Sequence, residues 1–204
     1  MNEYLVNGQP ISSDSGPKTW GDLLQAVDAR AAAQGDVVTA VRFKGVDQPT
    51  FRGPEVEAAD ADALGPIEVE TTPRARLLTS TLGTAGHSLP ELADGARRAA
   101  DAFRRGDTAT AHARLSDLLA TVRTLVELTL AVAAAAGTDL EHLPCGTSTA
   151  AGILGTTGVV LDGLSHHQRA EDWVALADEL EYDLAPALLQ WSRVFEALQE
   201  RCAA

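Results

Sequence analysis

The chain has 204 residues, of which 45% are hydrophobic but only 4% aromatic, an Ala-, Leu- and Val-rich balance that favours closely packed helices over aromatic-filled sandwiches. With 29 acidic against 16 basic residues the formal charge is -13, which excludes sequence-independent binding to nucleic acid or anionic membranes, because both need clustered Lys and Arg. Before Pro73 there are 5 basic and 12 acidic residues and after it 11 and 17, so neither part hides a basic module.

Residues 3–11, EYLVNGQPI, set two strand-like pieces around Asn7-Gly8, a pair that tolerates positive φ and predicts a hairpin. Ser12 to Lys18 reads as a turn-rich connection. Thr19 then caps a helix carrying Trp20, Leu23, Leu24 and Val27, stopped by Gly35. VVTAVRF at 37–43 is a β-branched strand. Gly45 to Pro54 is a loop or a return strand broken by Pro49, Ala58 to Leu64 is one helical turn, and Ile67 to Glu70 is a last alternating strand.

This β-β-α-β-(β)-β order resembles the β-grasp fold of ubiquitin-like proteins. YLVNGQPI, TWGDLLQAV, VVTAVRF and IEVE look similar to its small sulfur-carrier members. The resemblance covers residues 1–72 and implies the fold without the activity. Sulfur carriers need a free C-terminal Gly-Gly, and here IEVETTP runs on into a helical segment.

From Pro73 the hydrophobic period changes from two to 3.6. Arg74 to Leu82 predicts a first helical piece, loosened at Gly83 and Gly86, and Ser88-Leu89-Pro90-Glu91 reads as a capping box for a helix ending at Arg105. Gly106 stops it and Asp107 caps the next, whose apolar face includes Ala111, Leu115, Leu118, Val122 and Leu125. Its longest apolar run, Leu128 to Ala136, has nine residues, against the roughly 20 that span a bilayer. Thr138 to Gly146 is a loop. Thr147 to Leu164 is a Gly- and Thr-rich helix, with Ala151, Gly155 and Gly158, like the Ala133 to Ala136 run, expected to let helices approach closely.

The strongest periodic signal is the last segment. Trp173, Ala177, Leu180, Leu184, Ala187, Trp191, Val194 and Leu198 recur at steps of four and three, a stripe that must be buried. Pro186 predicts a kink near Tyr182 to Pro186. Asp172 echoes Asp107 as the opening of a long helix, which points to two helical hairpins in a bundle of about four helices over 73–204.

No chemical constellation is complete. Asp178, Glu179, Glu181 and Asp183 lack the Glu-x-x-His pairs of a di-iron bundle, and the glycines from Gly146 to Gly163 lack the Gly-Lys-Ser/Thr of a phosphate loop. His166 and His167 point in different directions on a helix. Neither metal nor cofactor is expected. Asp139, Glu141, His142 and Cys145 form the one enzyme-like cluster, where a helix start lowers a thiol pKa. The two thiols are isolated and no basic and apolar leader precedes Tyr4, which sets the expected location as the cytoplasm.

The sequence thus predicts an α+β protein, a β-grasp-like domain at 1–72 and a helical bundle at 73–204. Its expected role is a non-enzymatic adaptor or chaperone-like module, docking another protein with a basic surface through Asp178, Glu179, Glu181, Asp183 and Phe195. Secretion and flagellar chaperones offer an architectural parallel in their acidic bundles. Two alternatives are an enzyme or small-ligand binder with a site between the domains near His142, Cys145 and Trp20, and a homodimer with the last helix as its seam.

Overall fold

The computed structural model describes residues 4–10 and 18–203. The turn-rich connection expected from Ser12 lies outside the described residues up to residue 17. The protein is α+β: a five-stranded mixed sheet comes first and helices follow. The chain divides into two compact units, Met1–Leu77 and Leu78–Ala204.

In the first unit the elements are β1 (Tyr4–Val6), β2 (Gln9–Pro10), α1 (Trp20–Ala33), β3 (Asp36–Phe43), β4 (Val46–Asp47), α2 (Pro54–Glu57) and β5 (Ile67–Pro73). Asn7 and Gly8 turn the first hairpin with φ of 50° and 75°, the left-handed pair its two-residue loop requires. The Asn7 side chain also donates to Thr71 Oγ1 and accepts from the Thr71 N–H, both at 2.9 Å. That ties the turn to β5. The sheet order is β2-β1-β5-β3-β4, with β1 parallel to β5 and the other pairs antiparallel.

Thr19 and Asp22 form a reciprocal capping box at the start of α1. The helix then buries Trp20, Leu23, Leu24 and Val27 among Val38, Val41, Phe43, Ile67 and Val69. The helical turn expected over Ala58 to Leu64 is replaced by α2, four residues earlier, where Pro54 takes the first helical position that suits its fixed φ. Residues 58–64 form turns instead, one of them held by the Asp62 N–H on Asp60 Oδ1 at 2.9 Å.

Past β5 come α3 (Arg74–Arg104), α4 (Thr108–Ala135), a small hairpin of β6 (Pro144–Cys145) and β7 (Ser148–Thr149), α5 (Ala150–Arg169), α6 (Trp173–Glu179) and α7 (Ala185–Ala203). The capping box at Ser88 does not exist. α3 runs unbroken through Gly83, Gly86 and Pro90, and Ser88 Oγ donates within the helix to the Ala85 carbonyl at 2.8 Å. An interior proline costs about 3 kcal/mol, but Leu82, Leu89 and Ala93 are buried on both sides of it. Burying each leucine contributes roughly 1.5–3 kcal/mol, so packing overrides the local break.

Asp107 and Asp172 are both N-caps, accepting from the Thr110 and Ala175 N–H groups. α4 averages a mean hydropathy of 1.7 over 18 residues and is, by length and composition, long and apolar enough to cross a membrane. The uninterrupted nine-residue apolar run covers only the end of this 28-residue helix, so the run alone falls short of that length. Its Leu115, Leu118, Val122, Leu125 and Val132 face lies in the bundle core, and Arg123 pairs with Glu127 on the outside at 2.8 Å.

Close helix contact comes from a different place than expected. An added Cβ at Gly155 or Gly158 would meet open space, and Ala134 and Ala135 are exposed. The closely packed small residues are Ala93, Ala96, Ala99 and Ala100 on α3, all without exposed surface.

The stripe of the last segment is buried as its spacing requires, from Ala177, Leu180 and Leu184 to Trp191, Val194 and Leu198; Trp173, stacked on Phe103 with ring centroids 5.5 Å apart, is half-buried. Between α6 and α7 the kink takes the form of a π-helical turn, Leu180–Leu184, in which the Ala185 N–H reaches the Leu180 carbonyl five residues back. Pro186 has no N–H to offer the Tyr182 carbonyl and its ring would press on that turn, so widening the helix there removes the collision.

Candidate functional site

The acidic residues of the last segment surround the π turn, but they do not form one exposed face. Arg104, the last residue of α3, sends its guanidinium across to Asp178 at 2.7 Å and to Glu181. These hydrogen bonds, the one to Asp178 first, push the Arg104 pKa further up and keep the group charged. The same guanidinium lies 5.8 Å from the centre of the Tyr182 ring. Two of the four acids are therefore partly neutralised within the fold.

Glu179 turns inward. Its side chain is 16% exposed and sits against Gly163 of α5, where an added Cβ would collide with the carboxylate. Oε2 accepts no hydrogen bond and lies 3.5 Å from His167 Nε2, while His166 packs edge-on against His167 at 5.6 Å. Burial raises the Glu179 pKa above its ordinary 4.5, Asp183 adds to the rise, and His167 and His166 oppose it. Because the folded state holds this proton more tightly, its contribution to stability is complete below the ordinary carboxylate pKa and is lost as pH rises through the raised one. Glu179→Gln is thus expected to gain stability on wild type between about pH 4 and about pH 7. Urea midpoints at both pH values check this, and parallel curves for the two proteins would show that the carboxylate is solvated.

Phe195 is not a surface residue. It lies four positions after Trp191 on the same stripe, is 2% exposed, and meets the Trp191 indole edge to face at 6.1 Å. What does reach solvent is Asp183 together with a row that the acidic pattern had hidden. Val174, Asp178, Tyr182, Pro186 and Leu189, at steps of four, four, four and three, are all exposed. Val174 is 66%, Tyr182 65% and Leu189 38% exposed. Local sequence does not mark the roles of Arg104 and Gly163, since each meets a helix remote in the chain.

The His142 and Cys145 cluster is dismantled by the fold. Cys145 is 2% exposed on β6, its thiol is 3.8 Å from the Leu143 carbonyl, and burial pushes its pKa up, the opposite of nucleophile activation. His142 is exposed and pairs with Asp139 at 2.7 Å, which raises the imidazole pKa and lowers that of the carboxyl. Trp20 has no exposed surface and donates its indole N–H to the Phe51 carbonyl at 2.7 Å, so it lines no site. Among the described residues, no three His, Cys, Asp or Glu side chains converge as a metal site.

No family model, no curated protein and no solved structure matches this chain.

Proposed function

We propose that the protein is a non-enzymatic interaction module whose helical unit docks a partner protein on the outer side of α6, the π turn and α7. The observation that carries this reading is the exposed row Val174, Tyr182 and Leu189, set beside the carboxylate of Asp183 and stiffened by the Arg104 bridge to Asp178 and Glu181. Tyrosine supplies large contact area at low entropic cost and is enriched among residues that dominate binding. The exposed Asp183 carboxylate beside these apolar side chains favours a partner segment with apolar side chains and a basic residue. The partner is thus a narrower match than a generally basic surface.

The N-terminal unit is, in this proposal, a β-grasp scaffold, a reading supported by the parallel pairing of β1 with β5 and by α1 packed on the sheet. Thr71, Thr72 and Pro73 belong to β5, so this segment offers no free terminus for group transfer. The two unpaired thiols support a reducing compartment such as the cytoplasm.

The test is a double substitution, Tyr182→Ala with Asp183→Arg, in the full chain. Both side chains are exposed, so melting is expected to stay within about 1 kcal/mol of wild type. Loss of the aromatic anchor and reversal of the charge together are expected to weaken the complex by at least about 2 kcal/mol, roughly 30-fold, in a titration against the co-purified partner. Unchanged affinity with unchanged melting would contradict the proposal.

A further inference from the structure

A second surface in the helical unit has a different character. Between α3 and α4 lies a groove of about 370 Å³, within the size range of small-molecule sites. Its apolar lining is Leu92 and Leu118, and at Gly95 the Arg98 Nη2 lies 3.8 Å from where a Cβ would stand. Arg98, Arg114, Glu91 and Asp117 line it.

The two arginines and two carboxylates sum to zero formal charge, but no ion pair within 4.0 Å joins them among the described residues. Arg97, the neighbour of Arg98, pairs with Asp94 at 2.6 Å, and neither Arg98 nor Arg114 has a carboxylate within 4.0 Å among the described residues. Arg114 Nη1 donates to the Arg98 carbonyl at 3.1 Å, which ties α4 to α3 at the groove that both arginines line. Guanidinium forks match a carboxylate bidentately. Asp117 follows Arg114 by three residues on α4, while Glu91 lies two helical turns or about 10 Å of rise before Arg98. Two carboxylates repel a polyanion such as a phosphate ester and attract an ammonium.

We propose that this groove binds a linear zwitterion of di- or tripeptide chemistry. Its carboxylate sits on Arg98 and Arg114, its ammonium on Glu91, and its apolar body covers Leu92 and Leu118. The proposal is independent of the surface around Tyr182, and its test uses none of those residues.

The experiment is calorimetric titration of the full chain with the free tripeptide Ala-Leu-Ala, its C-terminal amide, its N-acetyl form and inorganic phosphate. Saturable binding of the free tripeptide is expected. Each capped form should bind about tenfold more weakly, as removal of one charge-assisted contact requires, and phosphate should not compete. Arg98→Gln and Glu91→Gln, both at exposed positions, are expected to reproduce the losses seen with the amide and the N-acetyl form respectively, with unchanged melting. Absence of saturation up to about 10 mM, indifference to capping, or competition by phosphate would each overturn the proposal.

Discussion

Trp191→Ala is expected to cost about 3–5 kcal/mol, the range for deleting a fully buried large aromatic. The indole has no exposed surface, meets Phe195 edge to face, and donates its N–H to Thr157 Oγ1 at 2.9 Å. Thr157 is itself buried and passes the chain on to the Ile153 carbonyl at 3.2 Å, so the substitution opens a cavity and removes the hydrogen bond that joins α7 to α5. Trp173→Ala is expected to cost clearly less, because that ring is half-buried, although it stacks on Phe103 and meets His112 edge-on at 5.0 Å. Urea denaturation of the two variants side by side checks the order. Equal losses would mean that the two ends of the stripe are packed alike.

Ala100→Leu is expected to destabilise by about 1–3 kcal/mol or more, whereas Gly158→Ala is expected to stabilise by about 1 kcal/mol. Ala100 belongs to the run of fully buried alanines in α3, packed in a core with Leu176, Leu180 and Leu184, where three further carbons force neighbours off their rotamers. At Gly158 an added Cβ meets nothing within 4 Å, and the gain is the helix propensity of alanine over glycine. Thermal melts of both variants decide the matter. A Gly158→Ala variant that loses stability would show that another surface covers this face of α5, and would revive close packing through the glycines.

The contrast explains which features could be read along the chain. The hairpin at Asn7-Gly8, the cap at Thr19, the matching caps at Asp107 and Asp172 and the buried stripe from Ala177 to Leu198 are all set by residues within a few positions of one another. Pro90 and Pro186 show the limit of local reasoning. Each breaks a hydrogen-bond ladder, but Leu82 and Leu89 hold the first helix continuous, and the second widens into a π turn.

The acidic site was less readable than the fold, and for the same reason. Four acids within six positions cannot all face outward, and which of them turns in is decided by Gly163 on α5. Which of them is neutralised is decided by Arg104 on α3. Phe195, expected at an exposed end of the helix, lies on the buried stripe, where its four-residue spacing from Trp191 puts it. Tyr182 marks the kink along the chain, and its 65% exposure as an aromatic is a property of the fold.

Replacement of Tyr182 by the photocrosslinking residue p-benzoylphenylalanine, in cells that express the protein, tests the proposed docking surface most directly. Illumination is expected to yield one discrete adduct with a second protein, weakened when Asp183→Arg is added, while the same residue at exposed Glu141 yields none. Adducts from Glu141 and none from Tyr182, or a Tyr182 adduct indifferent to Asp183→Arg, would contradict the assignment of this face of the last helix as the docking surface.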